Sequence, residues 1–190
     1  MKFSATLTVA IAALAHCRAT SHLEHRGLTI ARGGGIIMPE GSEDGYYNIT
    51  LTADGQILGV TFEPESAHPI AERRDVEPLA ARQLPINGYR CLDQPRLNAG
   101  YWNRAWGDFT SWCDRGAAAS GFSAIARVVV EDVAWMCNKA NTLNRCYRGE
   151  YDQFVDFISI QCSGLSPGFA DVDPFFKSYG RQKVNTPFCR

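Results

Sequence analysis

Histidine is missing from most of the chain. All four, His16, His22, His25 and His68, precede Arg73-Arg74, the only adjacent pair of basic residues. Everything after that pair lacks an imidazole. That excludes from it a Ser-His-Asp or Cys-His nucleophile, a histidine-dependent ribonuclease and a catalytic zinc of the usual histidine type. A phosphate loop and a dinucleotide fingerprint are absent too, because Gly33-Gly34-Gly35 has no following strand–helix context. Neither sign of charge is in excess: 19 basic residues face 20 acidic ones, which gives no case for nucleic acid or an anionic membrane as partner. Beyond the first residues no uncharged run approaches the length of a membrane span. The sequence indicates no cofactor and no metal, and it carries no internal repeat.

What it has in plenty is cysteine, seven residues in 190, with no C-x-x-C pairing. Thiols at this density, without metal-ligand spacing, indicate disulfides and an oxidising compartment. The N-terminus agrees. One lysine, Lys2, precedes an uncharged run from Phe3 to Ala15, the layout and length of a signal-peptide core. Cleavage is expected after Ala15 or after Ala19, and the second removes Cys17 and leaves six cysteines. Residues 1–19 are thus expected to be a signal peptide and the product to be secreted, extracellular and monomeric, with no stable membrane insertion.

Residues 20–45 are poor in large apolar groups and predict a loop. Then two alternating runs, around Tyr47-Ile49-Leu51 and Ile57-Gly59-Thr61, flank Asp54-Gly55, a favoured two-residue hairpin turn. An isolated hairpin is marginal in water, so this one has to lean on the rest of the chain. Asn48-Ile49-Thr50 is the only glycosylation sequon. From Ser66 to Pro85 the chain is polar and proline-rich, an exposed linker where proteases cut. Arg73 and Arg74 mark the expected processing point for a furin-like protease, with a second trim after Arg82. On this reading residues 20–74, extended to 82 by the second trim, are a pro-segment, and residues 83–190 are a six-cysteine domain. After Arg74 there are 116 residues (190 minus 74) with 13 basic and 12 acidic side chains, a net charge of about +1.

That half predicts regular structure. Ile86 to Leu92 reads as a short strand. Asn98 caps a helix over 99–115, in which Trp102, Trp106, Phe109 and Cys113 share one face. Residues 125–138, rich in valine, form one long strand or two joined near Glu131-Asp132. A second helix over 150–162 carries Tyr151, Phe154, Val155, Ile158 and Cys162 on one face, Glu150 and Asp152 in its first turn, and Gly164 at its end. The aromatic tail adds one or two strands. The order β-α-β(β)-α-β predicts an α+β fold, two helices on a mainly antiparallel sheet in a split-βαβ-like two-layer sandwich. Cys91, Cys113, Cys137, Cys146, Cys162 and Cys189 supply three disulfides, with Cys113 and Cys162 pointing inward; six cysteines permit fifteen pairings.

Candidate chemistry is sparse. Glu131, Asp132 and Glu150 are the carboxylates a glycosidase needs, but adjacent residues on a strand point to opposite faces, so Glu131 and Asp132 are not expected to meet. Trp102 and Trp106 read as core, Trp112 as partly exposed, and Arg145, Arg148, Arg181 and Lys183 as solvated loop charges.

The pattern Trp112-Cys113, Cys137-Asn138, Asn144-Arg145-Cys146, an acidic-start helix ending in Cys162, Ser178-Tyr179-Gly180-Arg181 and a terminal Cys189 resembles the small secreted cysteine-rich proteins of filamentous fungi. Many of these are candidate effectors. The element order also resembles the α/β killer toxins. The resemblance implies secretion, no catalytic residue, and action by binding an extracellular or host protein or glycan. The alternatives are a killer-toxin-like antimicrobial and a small carbohydrase.

Overall fold

A computed structural model of the protein describes residues 27–67 and 83–189. Ala19, Arg73, Arg74 and Arg82 lie outside the described residues. In chain order the strands and helices are β1 (Thr29–Ile30), β2 (Ile36–Ile37), β3 (Gly45–Leu51), β4 (Ile57–Pro64), β5 (Gly88–Cys91), α1 (Ala99–Asp114), β6 (Ala118–Ala119), β7 (Ser123–Val129), β8 (Asp132–Asn138), β9 (Asn144–Arg145), α2 (Arg148–Gln161), β10 (Gly168–Val172), β11 (Lys177–Lys183) and β12 (Pro187–Phe188). Seven of the strands form one sheet in the order β4-β3-β7-β8-β11-β10-β5, every neighbouring pair antiparallel.

Both helices pack on one face, as the α+β reading expects. Trp102, Phe109, Tyr151, Phe154 and Ile158 meet Ile125, Val129, Met136, Ala170 and Tyr179 from the sheet. Asn98 caps α1, its Oδ1 accepting from the amides of Gly100 and Tyr101. The valine-rich run is two strands joined by a turn at Val130-Glu131. β7 and β8 are buried along their whole length because both faces of the sheet are covered, which accounts for the near-continuous apolar sequence.

Over the described residues 27–45 the second cover corrects the loop expected for 20–45. β1 and β2 pair with each other, and β2 also pairs with β12 near the C-terminus. This small sheet lays Leu28, Ile36, Met38 and Phe188 over Val133, Trp135 and Cys137. Between its first two strands Gly33, Gly34 and Gly35 have φ of 105°, 89° and 93°, a backbone that side chains other than glycine rarely adopt. The hairpin forms as expected, but its turn has three residues, 53–55. Thr52 N donates to Gln56 O at 2.8 Å, and Gly55 takes the positive φ. The support it needs is β7, along which β3 runs from Gly45 opposite Val128 to Thr50 opposite Ser123.

Three disulfides staple the fold: Cys91–Cys162, Cys113–Cys146 and Cys137–Cys189. The first ties β5 to the end of α2, the second ties the end of α1 to the approach to α2, and the third ties β8 to the C-terminal segment. Cys113 and Cys162 are buried, as their helical register requires.

Candidate binding surface

The central strands carry buried charges on the helix side. Arg127 on β7 is fully buried. Its Nε and Nη2 donate to Asp108 of α1 at 3.1 and 2.7 Å, and its Nη1 donates to Val128 O at 2.8 Å. Glu65, just after β4, lies 3.4 Å from Arg127 and pairs with Arg104. Burial alone raises the Glu65 carboxyl, but Arg104 and Arg127 outweigh it and hold it below its ordinary value. Arg181 on β11 has no carboxylate partner among the described residues. It donates to Ser166 O, Ser159 Oγ and Gly164 O around the end of α2, over the Trp102 ring, so it satisfies carbonyls beside the negative end of that helix. Burial pulls its guanidinium below its usual pKa.

The three candidate carboxylates are each committed to a cation. Glu150 Oε2 accepts from Lys177 Nζ at 2.8 Å and from the Tyr179 hydroxyl. Glu131 and Asp132 both reach Lys183, the second at 2.9 Å. They meet, against the expectation, because Glu131 sits in the turn rather than on a strand. Asp132 Oδ2 also accepts from the Asn98 amide at 3.0 Å, anchoring the start of α1. Burial raises the Asp132 carboxyl. Burial alone lowers Lys183, but Asp132 and Glu131 leave it raised. Lys177 and Glu150 stand at the other end of the sheet from Lys183, so these groups form no single site.

The remaining assignments fall as follows. Trp102 is core, Trp106 is half-buried with its Nε1 donating to Asp152, and Trp112 is half-buried edge-on to Tyr46. Arg148 pairs with Asp114 and Arg145 is exposed, whereas Arg181 and Lys183 are not solvated loop charges. Asn48 lies in the middle of β3, half-buried, with its Oδ1 buried and unbonded among the described residues. The sequon therefore sits on a paired strand. Among the described residues no His, Cys, Asp or Glu cluster is arranged to hold a metal, and no helix is long and apolar enough to cross a membrane. A shallow groove of about 380 Å³ runs between Gly33–Gly35, the 52–55 turn and Lys139.

The Phe176 tip combines exposure with backbone strain, as does Val130 in the β7–β8 turn, with φ 56° and 45% exposure. Between β10 and β11 the chain makes a short 3-10 turn, Asp173–Phe175, and Phe176 follows with φ 51° and ψ 42°. A bulky residue in the left-handed region costs on the order of 1–2 kcal/mol. Phe176 is nonetheless 60% exposed, so burial does not repay the strain. Hydrogen bonds fix the geometry. Phe176 N donates to Asp173 O at 2.9 Å, Lys139 N donates to Phe176 O at 2.7 Å, and Asn144 Nδ2 donates to Phe175 O at 2.6 Å. Leu143 and Tyr147 are exposed at the same end of the sheet, the Tyr147 ring 5.0 Å from Lys177 Nζ. The Cys113–Cys146 bridge holds the segment that bears them. Sequence reasoning placed Phe176 in an aromatic tail; the adjacent Phe175-Phe176 after Asp-Pro was the only available signal.

Compared with family models, with curated proteins and with solved structures, the chain matches none.

Proposed function

We propose that this is a secreted, disulfide-stapled protein of the fungal effector-like kind, which acts by binding an extracellular or host protein through the rigid tip around Phe176. The observation that carries the reading is the tip itself: an exposed aromatic held in an unfavourable backbone conformation by three hydrogen bonds. Strain kept at an exposed position indicates selection for presenting that side chain, and exposed aromatics on rigid supports are what interfaces use as anchors. The commitment of Glu131, Asp132 and Glu150 to structural ion pairs supports binding over carboxylate catalysis.

The test is Phe176→Gly. Glycine accepts φ 51° freely and the lost ring is largely solvated, so the variant should be unchanged to about 1 kcal/mol more stable in urea. Applied to host tissue, it should lose the response the native protein elicits. A native response from both Phe176→Gly and the companion Leu143→Ser would remove the tip from the function. Growth inhibition of yeast by the native protein, with no host response, would move the reading to the killer-toxin class.

A further inference from the structure

Residues 27–67 carry β1 to β4, and the chain has no cysteine between Cys17 and Cys91. All three disulfides therefore join residues of 83–189 to one another, and none reaches the N-terminal part. That part is nonetheless built into the core. Its hairpin supplies two of the seven strands, and β1 and β2 supply two of the three in the small sheet. Tyr47, Ile49, Ile36 and Met38 are almost fully buried.

Polar contacts add direction to the seam. Asp44 Oδ1 accepts from Val130 N at 2.6 Å, Asn185 N donates to Met38 O at 2.6 Å, and Leu51 N donates to Phe122 O at 2.8 Å. Arg127, from the other side, reaches Glu65 and lies 4.8 Å from the centre of the Tyr46 ring.

We propose that cleavage in the 68–82 linker does not release the N-terminal part, which stays docked as a second, non-covalent chain on the edge of β7 and the sheet face around Trp135. The proposal rests on the reading of Arg73-Arg74 as a processing point. The step is hydrolysis of one peptide bond by a dibasic-specific endoprotease: water adds across the bond after Arg74, leaving a carboxylate on Arg74 and an amine on Asp75. Among the described residues no disulfide joins the two parts, so what holds them is the sheet ladder and the buried face. The mature molecule is then a two-chain protein, and the surface that receives the first chain is an interface rather than a free face.

The experiment replaces residues 71–82 with a site for an exogenous protease in the otherwise full chain, cuts it to completion under native conditions and runs it on size exclusion at micromolar concentration. The expected result is one peak at the uncut position containing both fragments, which separate on a non-reducing denaturing gel. Elution of the N-terminal fragment by itself would overturn the proposal, whether the remaining domain stays soluble or precipitates. A Val60→Asp change in the cut protein should convert the single peak to two, and the same change in the uncut chain shows whether the fold survives it. Intact mass of the naturally secreted protein is read separately. An uncut natural product ends the processing reading and leaves the assembly result standing.

Discussion

Single residues show how tightly the helix-side face and its reverse are filled. A Cβ built on Gly180 of β11 would stand 2.0 Å from Cζ2 of Trp135, and that ring is 2% exposed, so it has nowhere to move. Gly180→Ala should destabilise the protein by about 3 kcal/mol or more. Gly107, exposed in the middle of α1 with open space around it, gives the opposite sign: Gly107→Ala should add about 0.5–1 kcal/mol. Urea midpoints check both, and equal effects of the two would contradict the packing. The buried tyrosines set a pH limit. Burial pushes the Tyr151 and Tyr179 hydroxyls well above the ordinary 10.0, and the Glu150 charge pushes Tyr179 further. As pH rises past 10.0 the unfolded chain loses phenolic protons that the folded chain keeps, so stability falls with pH there. Raised Lys183 acts in the same direction, because the folded state holds its proton longer than the unfolded state. Tyr179→Phe should flatten the loss of urea resistance between about pH 8 and about pH 11. An unaltered slope would mean that Tyr179 titrates in the folded protein as it does in the unfolded chain.

At the scale of elements, what sequence could reach was set by how local each determinant is. α1 was legible because Asn98 caps it and Trp102, Trp106, Phe109 and Cys113 keep one stripe along it. α2 and the β3–β4 hairpin were legible for the same kind of reason. β1 and β2 were not. Thr29–Ile30 and Ile36–Ile37 are two residues each, too short for any periodicity, and beyond their pairing with each other the strand they lean on, with Phe188 opposite Ile36, is distant in sequence. The buried cations were hidden similarly. Arg127 shares its face of β7 with Ile125 and Val129, and its partner Asp108 lies on α1, so no local pattern marks it as a buried, paired cation. The tip was unreadable because a positive φ at Phe176 leaves no mark in composition. The small sheet also predicts how a disulfide acts beyond its own loop. Cys137–Cys189 holds the segment containing β12, which in turn pairs with β2. Replacing both cysteines by serine should cost about 2–4 kcal/mol and should speed amide exchange at Ile36 and Ile37, although neither residue touches the sulfurs in sequence. Exchange confined to 184–189 would show that β2 keeps its place without β12.

The described residues centre on one seven-stranded sheet covered on both faces, and a cut at the dibasic pair would divide that sheet rather than separate two cores. Residues 83–190 alone would keep α1, α2 and the three disulfides but would lose the strand beside β7 and most of the layer over Val133 and Trp135. β7 would become an edge with its whole length of backbone groups unpaired on one side, an arrangement that invites association with other chains. Disulfides cannot compensate, because they limit the unfolded chain and do nothing to cover an exposed face. The domain expressed without residues 1–82 should therefore bind a hydrophobic dye, melt without a sharp transition and associate with itself. A peptide spanning residues 27–67, added during oxidative refolding, should restore a cooperative melt, with Tyr47, Ile49 and Val60 as the side chains that matter, because they are the buried ones on the hairpin's covered face. A cooperative, dye-free melt of residues 83–190 alone would mean that the helix-side core suffices and that the N-terminal strands are an accessory. Failure of the peptide to rescue a dye-binding domain would instead mean that the hairpin must be present in the same chain while the sheet forms. The two results separate stability of the finished sheet from the order in which its strands assemble, and an N-terminal segment without cysteines is the place where that separation can be measured in an oxidised protein.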